Sequence, residues 1–96
     1  MRYTLLSYDK SVLGNDLLVV PIKDGLADLS NACHLNRTAA EIWSYCEMKS
    51  EGFTTEDIAN AIKDKYRISS NVVMEDCIKV VDSLVLAGLI KALDEN

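Results

Sequence analysis

The sequence is poor in proline, histidine and basic side chains. It has one proline and one histidine. Its ten Lys and Arg residues are outnumbered by fifteen Asp and Glu residues, which gives a net charge of −5 over 96 residues. Nucleic-acid affinity depends largely on Lys and Arg side chains that neutralise phosphates, so this balance argues against a DNA or RNA partner. It argues equally against binding to an anionic membrane surface.

Cysteine pairs and metal-binding motifs are also absent. The three cysteines, Cys33, Cys46 and Cys77, are widely spaced and form no CxxC motif. An odd number of cysteines at such spacings predicts neither a disulfide framework nor a zinc site. His34 and Cys33 have no further ligands at a usable spacing, so we expect no metal ion.

Long apolar runs and catalytic motifs are missing as well. No run approaches the length of a membrane-spanning helix, and the first ten residues lack the apolar segment of a signal peptide. The sequence shows no nucleophile–base–acid set and no glycine-rich phosphate loop. We therefore expect a non-catalytic protein that needs no cofactor and is located in a reducing cytoplasm.

What is present is the composition of a folded protein, with 49% hydrophobic and 26% charged residues. The length suits a single domain over residues 1–96. Apolar segments typical of strands occupy the first third, and apolar residues at three- and four-residue steps predict helices in the remainder. The predicted strands cover residues 3–8, 17–22 and 32–35. The predicted helices cover residues 37–48, a segment that begins at residue 54 or 55, and residues 71–87.

Local signals indicate where the predicted helices begin and end. Asn36 is a favoured N-cap for the first helix, because its side-chain oxygen can accept from an amide of the first turn. Thr54, with Asp57 three residues later, resembles a capping box for the second helix. The Ser69-Ser70 pair offers caps for the third helix, and Gly88 occupies the position where a left-handed residue ends it.

The helices predict a core around Trp43, the only tryptophan. Ala39, Ile42, Trp43 and Cys46 share one face of the first helix. The third helix has more apolar residues than one core stripe needs, and such a surplus usually marks a contact with another molecule. The predicted stripe comprises Val73, Cys77, Val80, Val81, Leu84 and Val85, and Val72, Met74, Ile78 and Leu86 fall partly outside it.

Three segments resemble the signatures of one known family. Residues 35–43, Leu-Asn-Arg-Thr-Ala-Ala-Glu-Ile-Trp, are similar to its LN-x-T-(A/G)-A-x-I-(L/W) motif. Residues 53–58 resemble the start of its second helix, and residues 73–90 resemble its ending, V-x-x-DV-x-x-FL-x-x-L-x-x-x-GLL. The family is the PqqD-like proteins, which act as precursor-peptide recognition elements for ribosomally made, modified peptides. The connection over residues 22–32 is longer than is usual in the family, and Cys77 replaces the usual valine.

The resemblance implies an α+β fold, a winged helix-turn-helix with a three-stranded antiparallel N-terminal sheet packed on three helices. It also implies binding without catalysis. Members bind the leader segment of a precursor peptide and present it to a modifying enzyme, often a radical S-adenosylmethionine enzyme, or a leader peptidase and cyclase. The leader adds a strand to the edge of the third strand and packs on the third helix. The residues then expected to bind peptide are Ala32, Cys33, His34, Leu35, Asp76, Lys79, Val80 and Ser83.

Three other functions compete with this interpretation. A DNA-binding winged helix would use the third helix, where three acidic side chains accompany a lone Lys79 and would repel phosphates. A protein-interaction domain would instead close a homodimer through the strand edge or the third helix, and the sequence leaves this alternative open. Asp82-Ser83-Leu84 matches the attachment motif of acyl carrier proteins, but Ser83 is predicted in mid-helix rather than at a helix start.

Overall fold

The computed structural model describes residues 1–49, 51–66 and 70–93. Three helices are present in these ranges: α1 over Arg37–Met48, α2 over Thr55–Tyr66 and α3 over Ser70–Ala87. The predicted bounds of the first helix are confirmed, and the predicted third helix begins one residue too late. The proposed cap at Ser69 lies outside the described residues.

Two antiparallel sheets accompany the helices. The main sheet has the order β2-β3-β4, with a further strand, β5, also paired to β3, and the small sheet has the order β6-β1-β7. In chain order the strands are β1 (Arg2–Leu5), β2 (Tyr8–Leu13), β3 (Asp16–Lys23), β4 (Leu26–Ala27), β5 (Cys33–Leu35), β6 (Phe53–Thr54) and β7 (Ile90–Ala92). The predicted α+β class, with antiparallel strands and three helices, is confirmed, and the winged helix-turn-helix detail stays a prediction.

Strand β3 is the centre of the main sheet. A tight turn joins it to β2, and Gly14 in that turn has a φ of 67°, which glycine adopts without steric cost. On the other side of β3, β5 pairs with the first half of the strand, so that Leu17 lies opposite Leu35 and Val19 lies opposite Cys33. Strand β4 pairs with the end of β3 on this same side. This register places β5 at the edge of the sheet, directly before α1.

The predicted strand over residues 3–8 is wrong in its bounds. The chain leaves one sheet at Leu6, whose amide donates to the Leu89 carbonyl, and enters the other after Ser7, whose carbonyl accepts from the Ile22 amide. Residues 2–5 therefore pair in the small sheet, and the hairpin strand starts at Tyr8. The run of Tyr, Thr and Leu indicated β structure, but it carried no information on the partner strand.

The core lies between the main sheet and the helices, with Trp43 at its centre. The Trp43 side chain is fully buried, and the Tyr8 ring from β2 packs edge-on against it with ring centroids 4.8 Å apart. Cys46 and Cys77 are also fully buried, as their positions on apolar faces predicted. The other fully buried large side chains include Phe53, Ile42, Ile58, Leu84, Leu89, Ile90, Val19 and Val81.

Helix α3 contributes a narrower stripe to the core than the sequence predicted. Val73, Cys77, Val81 and Leu84 are buried, but Val80 is half-buried and Val85 is 41% exposed. Successive helical residues are rotated by about 100°, so the Val85 side chain points about 100° away from that of the buried Leu84 and lies beside the core stripe rather than in it. The prediction that Val85 belongs to the core is therefore wrong. The side chain of Val72 lies outside what the structure describes.

The connection between β3 and β5 folds back over the sheet and is fastened by Asp28. Its carboxylate accepts from Asn31 Nδ2 and Ser30 Oγ, each at 2.7 Å, and pairs with Lys23 Nζ at 3.2 Å. These hydrogen bonds, that of Asn31 foremost, lower the pKa of Asp28 to about 2. The 3₁₀ turn at Leu29–Asn31 contacts β3 and leads directly into β5.

The small sheet joins the two ends of the described chain. Strand β1 pairs with β7 so that Tyr3 lies opposite Ala92, and with β6 so that Tyr3 lies opposite Phe53. The Tyr3 and Phe53 rings stack with centroids 6.2 Å apart. Among the described residues, no helix is long and apolar enough to cross a membrane.

Candidate functional site

A groove of about 690 Å³ separates the edge strand β5 from helix α3. Strand β5 forms one wall, α3 forms the opposite wall, and the first turns of α1 close the bottom. The residues that line it are Asp16, Cys33, His34, Leu35, Asn36, Thr38, Ala39, Ile42, Asp76, Lys79, Val80 and Ser83. All the residues predicted to bind peptide lie along it except Ala32.

The strand wall has a free backbone edge. Strand β5 pairs with β3 on one side, and no described strand pairs with its other side. Ala32, just before β5, has extended dihedral angles, φ −61° and ψ 137°, so it prolongs this edge although it does not line the groove. Free amide and carbonyl groups on an edge of this kind can pair with another extended chain.

The helix wall combines an apolar residue with two opposite charges. Val80 is half-buried and faces the groove between Asp76 and Lys79, which are both exposed. Neither charged side chain forms an ion pair with another described residue. The Ser83 hydroxyl donates to the Lys79 carbonyl at 3.0 Å, so its hydrogen is already used within the helix. This wall offers a hydrophobic contact flanked by one positive and one negative group.

The floor comes from the start of α1, and the sequence prediction did not include its members Asn36, Thr38, Ala39 and Ile42 as site residues. The Asn36 side chain caps the helix, with Oδ1 accepting from the Ala39 amide at 3.0 Å. This cap starts α1 directly after β5, and the buried Ile42 and Leu35 belong to the same core cluster and both line the groove. The sequence did offer one signal for these floor residues, because they directly follow the strand that was predicted to bind the peptide.

Asp16 is a further groove residue that the sequence prediction missed. Its Oδ2 lies 2.8 Å from His34 Nε2. His34 pairs with Leu18 across the ladder, which places Asp16 two residues away on the same face of the sheet. The pair therefore depends on the register between β3 and β5. It gives this end of the groove a polar rim.

Cys33 is the accessible thiol of the three. It is half-buried in the strand wall, where burial raises its pKa, whereas Cys46 and Cys77 are fully buried. Burial, with a smaller effect from Cys77, raises the pKa of Cys46 to about 12. A thiol reagent will therefore modify the folded protein first at the groove, which makes Cys33 a reporter of groove occupancy.

The groove provides contacts rather than a reactive constellation. Within the described ranges, no cluster of three or more His, Cys, Asp and Glu side chains could hold a metal ion. The features that converge are a strand edge that no described strand pairs with, an apolar strip from Leu35, Ile42 and Val80, and the charges of Asp76 and Lys79, which form no ion pair with a described residue. Such a surface can hold an extended segment through main-chain hydrogen bonds and side-chain contacts.

These features define a small α+β protein with an open strand edge beside a helix. The family model for coenzyme PQQ synthesis protein D (PqqD) matches residues 5–90, and the chain belongs to this family. A solved structure of TbiB1 in complex with the TbiA(beta) leader peptide is similar in fold, with a TM-score of 0.73 and 16% sequence identity. The alignment covers 96% of this chain and 99% of the other chain. No curated protein sequence matches the chain.

Proposed function

We propose that this protein is a non-catalytic leader-peptide-binding protein that captures a ribosomal precursor peptide by strand addition. The observation that carries the proposal is the free edge of β5, which faces α3 across a groove. Membership of the PqqD family and the fold shared with a protein that was solved with a leader peptide support it.

Binding divides between the two walls of the groove. Main-chain hydrogen bonds along Cys33, His34 and Leu35 supply affinity that makes little demand on the leader sequence. The helix wall supplies selectivity, because Val80 favours an apolar leader side chain and Lys79 and Asp76 favour opposite charges beside it. A disordered leader must become ordered, which offsets about 2–5 kcal/mol of the gross interaction energy.

The bound leader would then be presented to a modifying enzyme. We propose a radical S-adenosylmethionine enzyme or a leader peptidase and cyclase as that partner, with residues 1–96 acting as one peptide-binding domain. Strand addition fixes the direction and register of the leader, so the segment that follows it leaves the groove at a defined point. A modification assay with and without this protein would test the presentation step.

The test of binding uses Cys33 as its reporter. Synthetic peptides that cover the N-terminal halves of short reading frames beside its gene are added, and the rate of iodoacetamide alkylation is followed by intact mass. A bound leader covers the strand wall, so alkylation should slow in proportion to occupancy, and calorimetry should give one peptide per chain. Scrambled peptides of the same composition are the matched control.

Two results would count against the proposal. Alkylation that no candidate leader slows, together with flat calorimetric titrations, would remove leader binding. Protection of Cys33 that rises with protein concentration in the absence of peptide would favour the homodimer instead, and sedimentation at several dilutions would confirm it. Cys33→Ser establishes that the modified thiol is the one in the groove.

A further inference from the structure

One end of the groove is polar, and two exposed leucines lie in the elements that lead away from its other end. The polar end carries the Asp16–His34 pair and the cap of α1 at Asn36. Leu86, near the end of α3, is 85% exposed, and Leu29, in the turn that leads into β5, is 76% exposed. If these side chains continue the apolar strip of the groove, they enlarge it into a patch of the kind that marks contact with another molecule.

Leu86 continues the helix wall of the groove. It follows Lys79 by seven residues, or two helical turns, and therefore lies on nearly the same side of α3. It also follows Ser83, another groove residue, by three positions. The core-facing side of the helix, marked by Val81 and Leu84, points elsewhere. Leu86 thus extends the row of groove residues by one further turn.

The strand wall continues toward the same end. Lys23, at the end of β3, lies against Gly88, just after α3, and Asp16, at the start of β3, lines the groove with Asp76. Strand β3 and helix α3 therefore run in the same direction. Because β5 is antiparallel to β3, its first residue, Cys33, lies toward the C-terminal end of α3. The turn that contains Leu29 precedes β5 at this end.

We infer that the binding surface extends past the groove, and that Leu86 and Leu29 receive an apolar side chain of the same peptide. This inference rests on the proposed function. Leu86 lies about 9 Å along the helix from Val80, a distance that about three residues of extended chain span. The peptide that fits is thus one with two apolar side chains, separated by about three positions, and polar residues at the Asp16–His34 end.

Parallel selections from a displayed library of random peptides test the inference. The baits are the parental protein, Leu86→Ser and the matched control Met48→Ser, whose side chain is 78% exposed at the far end of α1. Peptides selected by the parental protein and by Met48→Ser should share the second apolar position, and those selected by Leu86→Ser should lack it. A synthetic peptide from the parental pool should bind Leu86→Ser roughly five- to tenfold more weakly.

Each outcome bears on a different claim. Pools that are identical for the parental protein and Leu86→Ser, with equal Kd values, would overturn the extension while leaving leader binding intact. Pools that no bait enriches would overturn the proposed function, and the extension with it. Both exposed substitutions should leave the thermal unfolding midpoint unchanged, so loss of folding does not imitate either result.

Discussion

The main sheet has two outer edges, and they differ in what stands beside them. Strand β2 is twice as long as β5, and five of its six side chains are exposed. Strand β5 is short, but helix α3 faces it across the groove. No described strand pairs with the outer edge of β2 or with the outer edge of β5. Only at β5 does such an edge come with a wall that can select side chains, and this contrast is the basis for the site assignment.

The β2 edge is instead tied to α1 by a polar cluster. Glu47 accepts a hydrogen bond from the Tyr8 hydroxyl and pairs with Lys10 Nζ at 2.9 Å. Partial burial, and then the Glu47 contact, raises the pKa of Tyr8 to about 12. Burial alone would raise the pKa of Glu47, but the hydrogen bonds from Tyr8 and Lys10 outweigh it and leave this pKa lowered. These contacts position β2 against α1.

The largest expected effect comes from Trp43→Ala, which removes the support common to both edges. Trp43 packs against Tyr8 of β2 and adjoins Ile42 beneath the groove. We expect a loss of about 3–5 kcal/mol in the free energy of unfolding, because the cavity adds to the lost burial. Urea unfolding followed by circular dichroism measures it. Trp43→Phe should cost less, and a parental midpoint for Trp43→Ala would contradict the central place of this residue.

A matched pair on α3 sharpens the contrast between the groove and the outer surface. Val80→Asp places a charge on the apolar strip, and Val85→Asp makes the same change on the outer side of the helix. We expect Val80→Asp to weaken leader binding by about 1–3 kcal/mol, roughly 5- to 150-fold in Kd. Val85→Asp should bind like the parent in calorimetry. Equal Kd values for the two variants would contradict the assignment of α3 as a wall of the site.

N-methylated leaders test whether the backbone edge itself is used. A leader methylated at alternate amides loses every second donor, and only one of the two alternate patterns removes the donors that face β5. We therefore expect one pattern to abolish protection of Cys33 from alkylation and the other to preserve it. Equal tolerance of both patterns would show that side chains, rather than strand addition, hold the peptide.

Charge reversal should have a smaller effect than either of these changes. Lys79→Glu reverses an exposed charge at the groove rim, and Lys63→Glu makes the same change on the exposed face of α2. Exposed ion pairs contribute at most about 1 kcal/mol, so Lys79→Glu should change Kd by roughly fivefold or less. The effect should fade at high salt. A leader with the opposite charge at the facing position should restore binding, and Lys63→Glu should have no effect.

The smallest expected effect concerns the connection that leads into β5. The pKa of Asp28 is lowered from 3.8 to about 2, so its carboxylate stabilises the fold above pH 3.8, and this contribution is lost as the pH falls toward 2. Asp28→Asn should therefore show a weaker decline of the thermal midpoint over this interval than the parent. Asp24→Asn, at an exposed position four residues earlier, should decline like the parent.

Features that depend on neighbouring residues were predicted well from the sequence. The bounds of α1 follow from the Asn36 cap and the apolar spacing. The capping box is present in both directions, since the Thr54 amide donates to Asp57 Oδ2 at 3.1 Å and the Asp57 amide donates to Thr54 Oγ1 at 3.0 Å. Gly88 has a φ of 82°, as its place after α3 indicated.

Features that depend on distant partners were not predictable in the same way. Strand β6 has two residues, too few for a periodic pattern, and exists because β1 pairs with it. Asp16 enters the groove only through the register of β3 against β5. Most of the predicted site residues do line one groove, but that prediction came from the family resemblance and not from residue spacing. Their role in peptide binding stays a prediction.

The pairing of β1 with β7 has a consequence for engineering. Because Tyr3 lies opposite Ala92, the incoming and outgoing backbones of the unit run side by side. None of the small-sheet strands contributes a residue to the groove. The domain is therefore suited to insertion into a surface loop of a larger protein, with a short linker on each side. Such an insertion would give a host enzyme a leader-binding groove without any change to the groove itself.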